Sequence, residues 1–195
     1  GGTVTLSNSA NNRIYGTAST DRLTTNNLIQ GAGQIGVNVM ALTNSGTIRA
    51  NVSSTLTIDP TDGAGNAINT GTLEAVSGGT LILSDGTFTN TGATVRADTG
   101  STVTVTSATV TGGTVDVLGT GILNVTSSTI SGAGVTLSGA GNLNLSSGSI
   151  TGSTVTNSAT GTIRTTGGTS TLGSTVSNPA GGQMILNNAT ALTLI

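Results

Sequence analysis

The chain has 195 residues and a formal net charge of −2, and it is dominated by 41 Thr, 31 Gly, 22 Ser and 18 Asn. Strong helix formers are scarce, which argues against a helical protein, and the absence of Lys, His and Cys removes the residues on which most nucleophilic and transition-metal sites depend. Five scattered Arg with one Tyr and one Phe do not suit nucleic-acid binding, and no apolar run reaches the ~18–20 residues that span a bilayer.

The first part of the chain, residues 1–41, predicts irregular rungs. Val4 and Leu6 indicate one short strand, and Leu28 and Ile29 with Ile35 indicate another rung. The polar stretch 11–27 between them predicts a loop or an irregular rung. Residues 42–195 are regular, and we expect them to continue the same rod.

Apolar residues that precede a short Asn/Gly/Thr turn recur along the chain with a period typical of stacked repeats. These anchors are Leu42, Ile68, Phe88, Val110, Ile130, Val155 and Val176. Two short segments with alternating polar and apolar residues follow most anchors, as in 47–50 and 55–58 or 94–97 and 102–105. This period of two is typical of half-buried strands.

Such a repeat is too short to bury its own apolar face, so successive repeats must stack. The sequence therefore predicts an all-β parallel β-helix, or β-solenoid, with about 20–22 residues per rung. Gly46, Gly71, Gly92, Gly112 and Gly132 follow the anchors, where we expect positive φ. Asparagine recurs two residues after several anchors, at Asn44, Asn90, Asn157 and Asn178. This recurrence predicts an asparagine ladder at one corner.

Opposite charges alternate at the outward position of the first strand, in the order Arg49, Glu74, Arg96 and Asp116. We interpret this column as a structural charge ladder that fixes the stacking register, because a slip of one rung would oppose like charges. Exposed pairs of this kind contribute ~0.2–1 kcal/mol each. An anionic ligand at Arg49 or Arg96 is the weaker interpretation.

Three carboxylates form a weak calcium candidate. Asp59 and Asp62 lie in an insertion, and Asp85 lies at the matching corner of the next rung. Oxygen ligands suit calcium, but the spacing matches no known calcium loop, and Asp-Pro and Asp-Gly are ordinary turn pairs. We therefore predict no metal site and no cofactor.

The outward residues of the second strand predict a flat polar face. Its members are Thr55, Thr57, Thr102, Thr104, Asn142 and Asn144. Ranks of Thr-x-Thr on a β-solenoid resemble the ice-binding face of some antifreeze proteins, although Ile82 and Ile122 interrupt these columns. An ice- or glycan-binding module using this face is the alternative function.

Catalysis is not expected. Polysaccharide-cleaving β-helices need a carboxylate pair, or a base beside a metal, in a cleft. Here the acidic residues are scattered over corners and one ladder, so the sequence predicts a protein that is not an enzyme.

Segments 42–48 (LTNSGTI), 56–60 (LTIDP) and 68–75 (INTGTLEA) resemble the β-solenoid repeats of large bacterial surface proteins. These include autotransporter passenger domains, filamentous-haemagglutinin-like adhesins and extracellular fibres, and the resemblance covers about residues 28–195. It implies secretion to the cell surface and a structural role as a stalk segment or fibre subunit. From the opening residues Gly1 to Val4 we expect no signal peptide, and we expect no translocator barrel, which are departures from the family. No site residue is transferred from the family.

The sequence ends in an apolar strand, 191–195, without a polar cap. An open solenoid end exposes backbone and core, so we expect flanking rungs or copies of the chain to stack end to end. Contacts with surface glycans or other cells are further expected interactions, whereas nucleic acid and membrane insertion are not.

Overall fold

A computed structural model describes residues 1–63, 65–187 and 190–195. The described chain forms short strands joined by tight corners, and its strands pair in parallel with their equivalents in neighbouring turns. The strands lie in three columns, which we call faces 1, 2 and 3, and the chain passes through them in that order about nine times. The predicted β-solenoid is therefore confirmed.

Face 1 contains the first strand of most turns: β1 (Thr3–Thr5), β4 (Leu28–Gly31), β7 (Thr47–Ala50), β10 (Thr72–Ala75), β13 (Thr94–Ala97), β16 (Thr114–Val117) and β19 (Gly134–Leu137). Face 2 contains the second: β2 (Arg13–Tyr15), β5 (Gly33–Gly36), β8 (Leu56–Ile58), β11 (Thr80–Ser84), β14 (Thr102–Thr106), β17 (Ile122–Thr126), β20 (Asn142–Ser146), β22 (Thr162–Gly167) and β24 (Gln183–Leu186). Face 3 contains the third: β3 (Arg22–Thr25), β6 (Ala41–Asn44), β9 (Ala67–Asn69), β12 (Thr87–Thr89), β15 (Thr109–Thr111), β18 (Thr129–Ser131) and β25 (Ala191–Leu194). Strands β21 (Ser149–Thr156) and β23 (Thr169–Ser177) run from face 3 around the corner into face 1.

Alternation along each strand builds one core inside the three faces. In β14 the side chains of Val103 and Val105 are fully buried, whereas the intervening Thr104 faces outward. Equivalent inward residues lie directly above one another, and the buried apolar side chains form a single cluster from Ile29 to Leu172. On face 3 the large Phe88 side chain lies next to the small Ala67 of the preceding turn.

Turn length varies along the rod. In the central turns, residues that bond across one turn, such as Thr94 and Thr114 on face 1, are separated by 20 positions in sequence. The same separation holds for Thr104 and Asn124 on face 2. An earlier turn is longer, because Arg49 and its register partner Glu74 are 25 positions apart. Residues 1–41 contain the first turn and most of the second, since β1 to β5 belong to the same columns.

Some predicted details were wrong. In face 3, Ala67 rather than Ile68 is equivalent to Leu42 and Phe88, and Ile68 points outward. Val155 and Val176 belong to face 1, because β21 and β23 continue through the corner without a turn.

Positive φ occurs at Gly92, Gly112 and Gly132, as predicted, but Gly71 does not share it. There a side chain is excluded by contact, since a Cβ atom would collide with the carbonyl oxygen of Gly46 in the turn below. The same correction applies to Gly46, whose Cβ position lies against the carbonyl oxygen of Asn27.

Candidate functional site

The charge ladder occupies one outward column of face 1. Glu74 pairs in register with Arg49 on one side and Arg96 on the other, and Arg96 pairs with Asp116. The Glu74 carboxylate accepts a hydrogen bond from Arg49 Nε on Oε1 and another from an Arg96 terminal nitrogen on Oε2, each at 2.5 Å. Both carboxylate oxygens are therefore used within the ladder.

Burial separates Glu74 from its two partners. Its side chain is 2% exposed, whereas those of Arg49 and Arg96 are 34% and 35% exposed. The prediction that the ladder consists of exposed pairs was wrong for Glu74, because arginines on both neighbouring turns lie against it. A buried carboxylate between two cations depends on both partners more strongly than a surface pair does.

Asp116 closes the ladder without an ion pair within 4.0 Å among the described residues. Partial burial raises the pKa of the Asp116 carboxyl, and the charge of Arg96 opposes that shift. The next residue in the column is the uncharged Thr136. This end of the ladder is therefore weaker than the Arg49–Glu74–Arg96 centre.

The predicted calcium candidate lies at the corner between faces 2 and 3. Burial raises the pKa of Asp59, and repulsion from Asp85 and Asp62 adds to the shift. Asp59 Oδ1 is buried without a hydrogen-bond partner among the described residues, and Asp85 accepts a hydrogen bond from its neighbour Ser84 at 2.8 Å. In the described part of the chain, no group of three His, Cys, Asp or Glu side chains is placed to hold a metal ion. The calcium hypothesis gains no support from this arrangement.

Asparagines form two ladders at different corners, not one. At the corner between faces 3 and 1, Asn44 donates to Asn69 Oδ1 at 2.8 Å, and Asn69 donates to Asn90 Oδ1 at 2.7 Å. All three are buried. Asn69 was missed, because the anchor in that turn was placed one residue too late.

The second asparagine ladder lies at the corner between faces 1 and 2, where Asn157 donates to Asn178 Oδ1 at 2.7 Å. In each ladder the Nδ2 group also reaches a backbone carbonyl, such as that of Gly46 or Gly161. The buried members, Asn44, Asn69, Asn90 and Asn157, satisfy the corner backbone inside the protein, so they are not available to an external ligand, whereas Asn178 is exposed.

The predicted Thr/Asn face is face 2. Thr57, Thr104 and Asn144 lie in one column, which Ile82 and Asn124 also occupy. A second column contains Thr102 and Asn142 with Ile122 between them. Thr55 directly precedes β8.

The polar groups of face 2 bind one another. Asn124 donates to Thr104 at 3.2 Å, and Asn144 donates to Asn124 at 2.8 Å. Arg164 donates to Asn142 at 2.8 Å, which brings a charge onto this face. Hydrogen-bonding capacity on face 2 is thus partly consumed within the protein.

An open apolar cavity of about 400 Å³ lies in the last turns, between Leu172, Val176, Met184 and Leu194. Leu194 is 65% exposed and Ile195 is 85% exposed. The apolar side chains at the end of β25 and directly after it are therefore accessible, whereas Leu172 in the preceding turn stays buried. Among the described residues, no helix is long and apolar enough to cross a membrane.

Comparison with protein-family models finds no match, and no curated protein or solved structure is significantly similar to the chain.

Proposed function

We propose that the chain is a structural, non-catalytic segment of an extracellular bacterial fibre or adhesin stalk. The observation that carries this proposal is the single buried core, which continues through the turns without a break from Ile29 to Leu172. Each turn packs only on its neighbours, so the stack extends in one direction as a rod.

The composition fits a stalk that must remain soluble without disulfides or bound groups. Thr, Ser and Asn cover the outside, and Val, Ile and Leu fill the inside. The cavity in the last turns is lined by no charged residue, and among the described residues no group of three His, Cys, Asp or Glu side chains is placed to hold a metal ion, which favours a mechanical role over catalysis.

End-to-end contacts are the expected interactions of such a stalk. Another rung placed beside β24 and β25 would pair with their open edges and cover the apolar cavity. That rung would come from a flanking part of a longer chain or from a second copy. Adhesion to surface glycans or other cells would then involve other regions of the fibre.

Negative-stain electron microscopy at several protein concentrations tests the stalk directly. We expect straight rods about 40 Å long, given about nine turns at ~4.8 Å each, joining end to end as the concentration rises. Round or collapsed particles would contradict a stalk. Antibody labelling of intact source cells tests the location, since an epitope reached only after permeabilisation would contradict an extracellular stalk.

A further inference from the structure

Face 3 carries a second array of hydroxyl groups, which is more regular than that of face 2. Strands β12, β15 and β18 and the first part of β21 each place two Thr or Ser side chains outward around one buried apolar residue. We call these eight residues the hydroxyl array: Thr87, Thr89, Thr109, Thr111, Thr129, Ser131, Ser149 and Thr151.

The array is a two-dimensional lattice. Its strands pair in parallel without a register shift, so the hydroxyls form two straight columns. Neighbours lie ~4.8 Å apart between turns and ~6.7 Å apart along a strand. Phe88, Val110, Ile130 and Ile150 hold the strands from inside and are at most 1% exposed.

The hydroxyls of the array are free to bind an external partner. No side-chain hydrogen bond of the described residues uses them, in contrast to the Thr104–Asn124–Asn144 chain of face 2. Six of the eight are threonines, whose β-branched side chains have few rotamers, so little freedom is lost on binding.

Charge and shape select the partner. The array strands contain no charged residue, which complements a neutral ligand rather than a phosphate or a carboxylate. The chain's one Phe is buried beneath the array and its one Tyr lies in β2 on face 2, so no aromatic ring is available there to stack on a sugar. The outward side of a sheet also does not enclose a small molecule, whereas a periodic partner meets many equivalent weak contacts at once.

We propose that the hydroxyl array of face 3 binds the surface of ice through an ordered layer of water. Each Thr hydroxyl both donates to and accepts from this water layer, and the Thr methyl groups fill the spaces between the columns. This activity would be independent of the stalk, because it uses the outside of one face and leaves the stacking edges free.

Thermal hysteresis and inhibition of ice recrystallisation, measured on the full chain, test the proposal. Thr109→Val and Thr129→Val remove the hydroxyl and keep the side-chain shape, so we expect a loss of most of the activity with an unchanged circular dichroism spectrum. Thr109→Tyr and Thr129→Tyr introduce bulky side chains that disrupt the lattice, and they should abolish the activity. Thr136→Val and Thr136→Tyr on face 1 are matched controls and should retain full activity.

The same measurements define the outcomes that overturn the proposal. The proposal is wrong if the unmodified chain shows no thermal hysteresis, or if the Thr136 controls lose as much activity as the array variants. It is also wrong if activity is lost with Thr104→Val on face 2 but not with Thr109→Val. Cellulose is another periodic surface that carries hydroxyl groups, and sedimentation of the protein with microcrystalline cellulose tests it as an alternative ligand. Cellulose binding that depends on Thr109, without hysteresis, would replace ice by a glycan. Rods seen by microscopy without hysteresis would remove this proposal alone and leave the stalk.

Discussion

The central turns, residues 94–151, and the turns before them build the same three faces by different means. Central turns repeat every 20 residues and hold their register mainly with stacked apolar side chains. Earlier turns are unequal, since the register partners of Glu74 lie 25 and 22 residues away. They also contain most of the charged residues and the first asparagine ladder.

The first asparagine ladder coincides with a change in turn length. Asn44 and Asn69 are 25 positions apart in sequence, whereas Asn69 and Asn90 are 21 positions apart. A constant loop length fixes the register by itself. Where the loop length changes, directional hydrogen bonds specify which residues stack.

The largest expected effect is the loss of stability when a core leucine is truncated, and it should differ between the central turns and the first turn. Leu123→Ala removes a fully buried side chain from the central stack and should lower the free energy of unfolding by about 3–5 kcal/mol. The matched change Leu23→Ala, at a half-buried residue of the first turn, should cost clearly less. Urea unfolding followed by circular dichroism measures both. Equal losses would show that the first turn is packed as tightly as the centre.

Breaking the first asparagine ladder should be almost as costly. Asn69→Ala removes one acceptor of the buried Asn44 amide and the donor to the buried Asn90 Oδ1, which we expect to cost about 2–4 kcal/mol. Asn178→Ala, at the exposed end of the second ladder, should have a small effect. The difference in Tm between these two variants is the measurement, and similar values would contradict a register role for the buried ladder.

The charge ladder should be sensitive at its centre and insensitive at its end. Glu74→Gln removes the charge that both Arg49 and Arg96 face, and it should cost about 1–3 kcal/mol because Glu74 is buried although its partners are half exposed. Asp116→Asn should be neutral or slightly stabilising. Chemical denaturation at low and high salt compares the two variants. If Glu74→Gln left the free energy of unfolding unchanged, the charge ladder would not contribute to the stability of the fold.

A smaller, stabilising effect is expected at the corner between faces 2 and 3. Ser107, Ser127 and Ser147 occupy this corner in successive turns with φ near +50°. The left-handed conformation costs a non-glycine residue ~1–2 kcal/mol, and glycine avoids this cost. Glycine also makes the unfolded chain more flexible, which cancels part of the gain, so Ser127→Gly should raise the free energy of unfolding by ~0.5 kcal/mol. Thr126→Gly, in the adjacent strand, should destabilise. A lower Tm for Ser127→Gly would contradict strain at this corner.

The smallest effect depends on pH. The pKa of Asp59 is raised in the folded state, so its ionisation costs stability as the pH rises through the carboxyl range. Asp59→Asn should therefore raise Tm at neutral pH, and the gain should disappear below the ordinary carboxyl pKa. Thermal unfolding from acidic to neutral pH measures this, and a gain that persists in acid would exclude the charge as its cause.

Period-two alternation was sufficient to predict the solenoid and the columns of faces 1 and 2, because inward Val and Leu there alternate with outward polar residues. Face 3 was harder. Strands such as Thr87–Thr89 are very short and lie next to glycines, so they were interpreted as the approach to a turn. The Thr-x-Thr pattern flanking Phe88, Val110 and Ile130 was the available signal for the hydroxyl array.

The burial of Glu74 could not be predicted from its own strand. Alternation places it outward, and that is where it lies. It is buried because Arg49 and Arg96, which are distant in sequence, converge on it from the two neighbouring turns. Side-chain direction follows from local sequence, whereas coverage by long side chains depends on the register of the whole stack.

Stacking each turn only on its neighbours also determines how the rod responds to force. The hydrogen bonds between turns run along the rod axis, so tension on the two ends loads the outermost turn first. Turns would then detach one at a time, and each central turn would release up to ~70 Å of extended chain. A solenoid built in this way would yield in steps under load and keep its remaining turns folded.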